Sequence, residues 1–262
     1  MNALAPLTEL PAVDLAALNT EAALQTRVDR KYILPLADVP AVLADLPEGT
    51  HALEVDGERA LRYASQYFDT PALDSYLGAA HGRRRRFKVR ARTYVDSDAS
   101  FLEVKTRGGR SATVKDRVPV TGTTLDAAAV TAAAEMLTEA GIPDARRLAE
   151  SLQPVLATAY RRATLLLPPE HDAGPSRGTV DVELTWRDMQ QPGDSGTLTL
   201  PTTAIVETKS GCRAGALDRA LWRHGHRPAS VSKYGTGLAA LRPGLPCNKW
   251  HRTLTRHFTP SP

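Results

Sequence analysis

Cysteine is almost missing from this chain of 262 residues: there are only Cys212 and Cys247. Two isolated cysteines build neither a disulfide framework nor a C-x-x-C metal knuckle, so a reducing cytosol is the expected compartment. Long apolar runs are missing too, and no stretch reaches the ~18 residues that span a bilayer. Residues 1–17 carry Glu9 and Asp14 and lack the basic start and apolar run of a secretory leader. The chain is expected not to cross a membrane itself, which leaves work alongside a membrane protein open. Aromatic residues make up 5%, too few for the stacking platform on which bases are held, so no nucleic-acid partner is expected. His224 with His226, and Cys247 with His251, lack four-ligand zinc spacing. Net charge is small, with Lys+Arg 33 against Asp+Glu 29. The positive residues are nonetheless concentrated, above all from Arg83 to Arg92, and such a run implies an anionic partner.

What is present is a core-forming composition, 42% hydrophobic, and a succession of alternating segments. Leu, Ala and Val at helical spacing predict an N-terminal helical segment over residues 1–25. Strands are expected at 26–34 and 59–69, with a short helix between them from Pro35 to about residue 46, and an irregular or helical piece at 71–80. A meander follows at 84–94, 100–107 and 110–120, its last turn signalled by Gly108-Gly109, since both glycines accept positive φ. Residues 124–152 are rich in Ala and Leu and predict helices broken near Gly141 and Pro143. Strands return at 154–167, 179–186 and 203–209, and helices at 214–224 and 234–241. The proline-bearing tail, 243–262, is expected to be loosely held.

Side chains alternate across a strand, so residues i, i+2 and i+4 share a face. Arg27, Asp29 and Lys31 share one, and so do Arg84, Arg86, Lys88, Arg90 and Arg92. Glu103, Lys105 and Arg107 lie together, as do Lys115 and Arg117, and Tyr160 and Arg162. On the next strand Arg177, Thr179, Asp181, Glu183 and Thr185 oppose Val180, Val182, Leu184 and Trp186; on the last, Glu207 joins Lys209. A half-exposed sheet also alternates, with its polar face simply wet. If instead the sheet curls with these faces inward, the lumen is cationic and calls for a polyanion.

The segments RVDRKYIL, QYFDT, RRRFKVRARTY, FLEVKTR, ATAYRRATL, VDVELTW, IVETKSG and SVSKYGTG resemble, in order, those of the VTC domain, the polyphosphate-polymerase branch of the triphosphate tunnel metalloenzymes. The resemblance runs from about Arg27 to Leu241, and the tunnel domain is expected over residues 26–242. It implies an α+β fold: an eight-stranded antiparallel β-barrel, the triphosphate tunnel, with helices packed outside. It also implies ATP, triphosphate and polyphosphate as ligands, and Mn²⁺ or Mg²⁺ as cofactor. The activity implied is polyphosphate polymerase, with an inorganic triphosphatase or a non-catalytic polyphosphate-binding module as alternatives. Carried over by position, Lys31, Arg90, Arg92, Lys105, Lys115, Arg162, Arg177, Lys209, Ser232 and Lys233 match phosphate-binding positions. Of these Arg90, Arg92, Lys105, Arg162 and Lys209, together with Glu207, are the expected catalytic set. Glu207 matches the metal-binding glutamate, and Glu103, Asp181 and Glu183 match acidic positions that assist the metal. The E-x-E-x-K signature of the thiamine-triphosphatase and cyclase branch is replaced by Arg27-x-Asp29-x-Lys31, which favours the VTC branch.

Overall fold

A computed structural model describes residues 3–21, 28–107, 113–169, 174–191, 193 and 196–258. Arg27 and the expected Gly108-Gly109 turn lie outside the described residues. The chain forms two compact units: residues 1–62, 160–184 and 200–230 make the first, and residues 63–159, 185–199 and 231–262 the second.

In the first unit, β2 (Val28–Pro35) pairs antiparallel with β11 (Thr203–Ser210), and β11 with β9 (Ser176–Asp188). The short strands β1 (Ala12–Val13) and β3 (His51–Leu53) pair in parallel, and β3 pairs antiparallel with β8 (Gln153–Leu167). Tyr32, Leu34, Ala163, Leu165, Val180, Val182, Ala204 and Val206 share one core with α2 (Val39–Ala44) and α6 (Ala216–Arg223). Below it the Asp218 carboxylate, fully buried, accepts from Tyr32 Oη at 2.7 Å, Thr208 Oγ1 at 2.6 Å and the Gly215 amide at 2.9 Å.

The second unit holds the meander β4 (Leu61–Asp69), β5 (Arg86–Tyr94), β6 (Ala99–Arg107) and β7 (Thr113–Val120), paired antiparallel in sequence. Phe87, Val89, Ala91, Leu102 and Val104 pack on α4 (Ala127–Glu139) and α5 (Ala145–Glu150). Asp126 starts α4 by accepting from the Ala129 amide at 2.8 Å, and Ala129, Ala133 and Leu137 form its buried stripe, spaced at i, i+4 and i+8 as one helix face requires.

The hydrogen-bonded order is β2-β11-β9-β8-β4-β5-β6-β7, with β1, β3 and β10 (Thr197–Leu200) attached off this path. The eight strands and the antiparallel α+β architecture are as expected. The order begins at β2 and ends at β7, however, so among the described residues hydrogen bonds do not close the sheet into the continuous barrel expected.

Two local expectations change. The N-terminal helix is instead a 3-10 turn over Ala5–Glu9, then β1, then α1 (Leu15–Glu21). Pro11 explains the break: it drives Leu10 into an extended conformation, with ψ 145°. Asp14 restarts the helix, accepting from the Ala17 amide at 2.7 Å. The tail carries α8 (His251–His257), and Trp250 is buried. That indole lies against α7 (Lys233–Leu241), where a Cβ on Gly235 would overlap it; a Cβ on Gly237 would likewise overlap Trp186. The SKYGTGL segment therefore needs two glycines because two indoles occupy the space of their side chains. Among the described residues no helix is long and apolar enough to cross a membrane.

Candidate functional site

The helix-packed faces are the apolar ones, and the charged residues of the central strands lie on the opposite face. In the second unit cross-strand pairing aligns Arg90 with Glu103 and Glu103 with Arg117, and in the next row Lys88 with Lys105 and Lys105 with Lys115. Glu103 is only 2% exposed. Its Oε2 accepts from Arg90 Nε at 2.7 Å, its Oε1 accepts from Lys115 Nζ at 2.7 Å, and Arg92 Nη1 stands 3.8 Å from Oε1. Arg90 also donates to Tyr67 Oη at 3.1 Å. Burial alone would raise the Glu103 carboxyl, but Arg90, Arg92 and Lys115 outweigh it and hold its pKa down at about 2.

A wet face would leave these charges in water. The burial of Glu103 and of Arg92, 8% exposed, is what separates this face from that simpler arrangement. Lys88 donates to Ser232 Oγ at 3.1 Å, and the same oxygen accepts from the Gly235 amide at 3.2 Å to cap α7, which fixes Ser232 and Lys233 at the start of that helix. Lys105 is solvent-exposed.

Because the Glu103 pKa is depressed, its contribution to stability is complete above its ordinary pKa of 4.5 and is lost as pH falls through about 2. The expected result is that the melting temperatures of the wild type and Glu103→Gln, far apart at neutral pH, converge between those two values. Parallel curves down to pH 2 would show that the carboxylate is not held by its cations.

In the first unit the register places Glu207 between Lys31 and Thr179, and Lys209 between Asp29 and Arg177. Lys31 Nζ meets Glu207 Oε1 at 3.1 Å. Arg162 forms a two-pronged pair with the buried Asp181, at 2.6 and 2.8 Å, and lies 5.3 Å from the centre of the Tyr160 ring. Burial opposes the Arg162 charge, but Asp181, Tyr160 and Glu207 override it and its pKa rises.

Glu183 departs from the strand-face expectation. Its backbone is left-handed, with φ 54°, a conformation uncommon for a residue with a side chain. Its carboxylate is 63% exposed and stands 3.7 Å from Arg161, in a cavity lined also by Glu58 and Val182, whereas Asp181 turns to Arg162. The structure thus does not gather Glu183 with Asp181 and Glu207. Lys88 and Tyr67 are contacts that the expected residue set lacks. The alternation of β5 already pointed to Lys88, but nothing local marks Tyr67.

Among the described residues no group of three or more His, Cys, Asp or Glu side chains is placed to hold a metal ion. Both oxygens of Asp181 accept from Arg162, and both of Glu103 from Arg90 and Lys115. This donor set does not fit a cage made of protein; a divalent ion would have to draw most of its shell from substrate oxygens and water, with Glu207 as the carboxylate that the family resemblance assigns to it.

Among solved structures, a candidate adenylate cyclase from Bacillus halodurans is 10% identical, with 79% of this chain and 94% of that one covered and a TM-score of 0.46. A candidate adenylyl cyclase from Hippeastrum, reported to have a dominant triphosphatase activity, is 17% identical, with 86% and 100% covered and a TM-score of 0.45. No curated protein matches the chain. The model of the VTC domain matches residues 26–242, a span that contains all eight motifs, and the chain belongs to the VTC domain family.

Proposed function

We propose that this protein is a metal-dependent phosphoryl transferase acting on ATP and polyphosphate, a polyphosphate polymerase. The observation that carries this reading is the surplus of positive charge around Glu103, where three cations converge on a single buried carboxylate. Cations crowded into partly dehydrated surroundings repel one another, and a polyanion relieves that repulsion.

Phosphoryl transfer asks for positioning and charge neutralisation more than for covalent chemistry from the protein. Arg90, Arg92, Arg162 and Arg177 grip phosphate oxygens with guanidinium forks; Lys31, Lys105, Lys115, Lys209 and Lys233 supply point charges, and the Ser232 hydroxyl a neutral contact. Glu207 would hold a divalent ion, Mn²⁺ or Mg²⁺, and such an ion would supply charge neutralisation to the phosphate oxygens. The acceptor in chain growth is a terminal phosphate that is already anionic, so no side-chain base is required. Hydrolysis instead asks a carboxylate to orient water. Glu103, held at a pKa of about 2 with both oxygens engaged, is a poor proton acceptor, which favours transfer to phosphate over transfer to water.

Incubation of the purified chain with ATP and Mn²⁺, followed by a gel stained for polyphosphate, tests the reading. A ladder is expected. Release of free phosphate alone would assign a triphosphatase, and an unchanged nucleotide would leave a binding module.

A further inference from the structure

The β5 basic row does not end at Lys88. Arg86 continues it and is paired across the strands with Arg107, and like charges placed directly opposite destabilise a sheet. Three more arginines, Arg83, Arg84 and Arg85, precede it and are all exposed. A further cation arrives from the tail. Lys249 Nζ donates to the Ala79 carbonyl at 3.4 Å, at the end of α3 (Asp74–Ala80), while the Arg83 amide donates to Gly78 O at 2.9 Å and Arg86 Nη1 to Arg83 O at 2.9 Å. The Tyr76 hydroxyl donates to Pro246 O at 2.9 Å and Trp250 is buried, so the tail is anchored on both sides of Lys249. Burial lowers the pKa of Lys249, and Arg86 and Arg107 lower it further.

A helix carbonyl accounts for one donor of Lys249, as a cation at a helix end commonly does; the Arg83 bond to Gly78 O is made by its backbone amide and takes up none of its charge. That single carbonyl does not account for the remaining positive charge. Among the described residues, none of Arg83, Arg84, Arg85, Arg86, Arg107 and Lys249 has a carboxylate within 4.0 Å.

We infer that this cluster is a second, outer binding surface for a linear polyanion, taking the part of a long polyphosphate chain that extends beyond a triphosphate. The inference rests on the proposed function and adds a surface separate from the residues assigned to phosphate transfer. Continuity decides the ligand: residues 86, 88, 90 and 92 follow one face at every second position, about 6.6 Å apart, a spacing suited to an extended anion of repeating charge. A lipid surface would be expected to meet an apolar anchor as well, and the exposed large hydrophobic residues (Leu15, Val28, Val95, Val114 and Met189) are none of them in the cluster. Stacking of nucleic-acid bases would need an exposed ring, and Trp250 is buried.

The test compares the full chain with the triple variant Arg84→Ala, Arg85→Ala, Lys249→Ala, all three positions being exposed. Binding of tripolyphosphate and of long-chain polyphosphate is measured over a range of salt, with melting temperature as the folding control. Tripolyphosphate affinity is expected to hold within about twofold, while long-chain affinity falls about tenfold or more with a shallower salt slope, as loss of counterion-releasing contacts dictates. Unchanged long-chain affinity overturns the inference, as does an equal loss for both ligands. A loss confined to anionic vesicles or to RNA overturns it in favour of that partner. A wild type that binds long chains but not tripolyphosphate sinks the functional reading while leaving the outer surface standing; one that binds neither sinks both.

Discussion

Glu207→Gln is expected to lower metal-dependent turnover by at least about 10²-fold, the upper range for losing a group that merely supports a metal, with the fold unchanged. The amide keeps the shape of the side chain and an oxygen to accept from Lys31, 3.1 Å away, so the β2–β11 pairing has no reason to change. What disappears is the negative charge, and with it the grip on a divalent ion. Glu207 is singled out because it stands at the position that matches the family's metal-binding glutamate, whereas Asp181 and Glu103 have both oxygens engaged by Arg162 and by Arg90 with Lys115. Chain growth from ATP across a Mn²⁺ titration, with circular dichroism alongside, checks it. A rate within threefold of wild type at every Mn²⁺ concentration would remove Glu207 from the metal site.

Asp69→Ala is expected to cost stability, about 3–5 kcal/mol, since it strands several buried donors at once. Asp69 is fully buried. Its Oδ1 accepts from the Thr70 and Ser75 amides at 2.8 and 2.9 Å, and its Oδ2 from the Tyr76 amide at 2.9 Å and the Tyr234 hydroxyl at 2.5 Å. One side chain thus starts α3 and ties it to α7. Thermal unfolding should show a midpoint roughly 6–15 °C lower, given the few degrees per kcal/mol usual for a chain of this size. A shift below 2 °C would mean that water replaces the carboxylate at little cost. Asp69→Asn should fall between, because its oxygen still accepts while its amide nitrogen meets donors that one carboxylate oxygen had accepted from.

The sequence revealed most where it repeats a rule. The β5–β6–β7 meander is legible because basic and apolar residues alternate over three successive segments, and the register then brings Arg90, Glu103 and Arg117 into line. Lys31 beside Glu207 was accessible in the same way, once each was placed on its strand. Glu183 was not. Its left-handed backbone has no signature in VDVELTW, which alternates without a glycine or an asparagine to mark a break. The Asp218 network was also out of reach, since its partners Tyr32, Thr208 and Gly215 come from separate segments and only folding unites them. The tail misled through composition: its prolines suggest loose chain, while Trp250 and Phe258, both buried, hold it in place.

The family match stops at residue 242, yet Gly235 in α7 leaves room for the indole of Trp250, which lies beyond that boundary. A protein trimmed to the matched span would present an empty aromatic-shaped notch to water, beside Tyr76, whose ring stands 5.6 Å from that indole. A version cut at residue 242 is therefore expected to clump or melt early for reasons unrelated to phosphate chemistry.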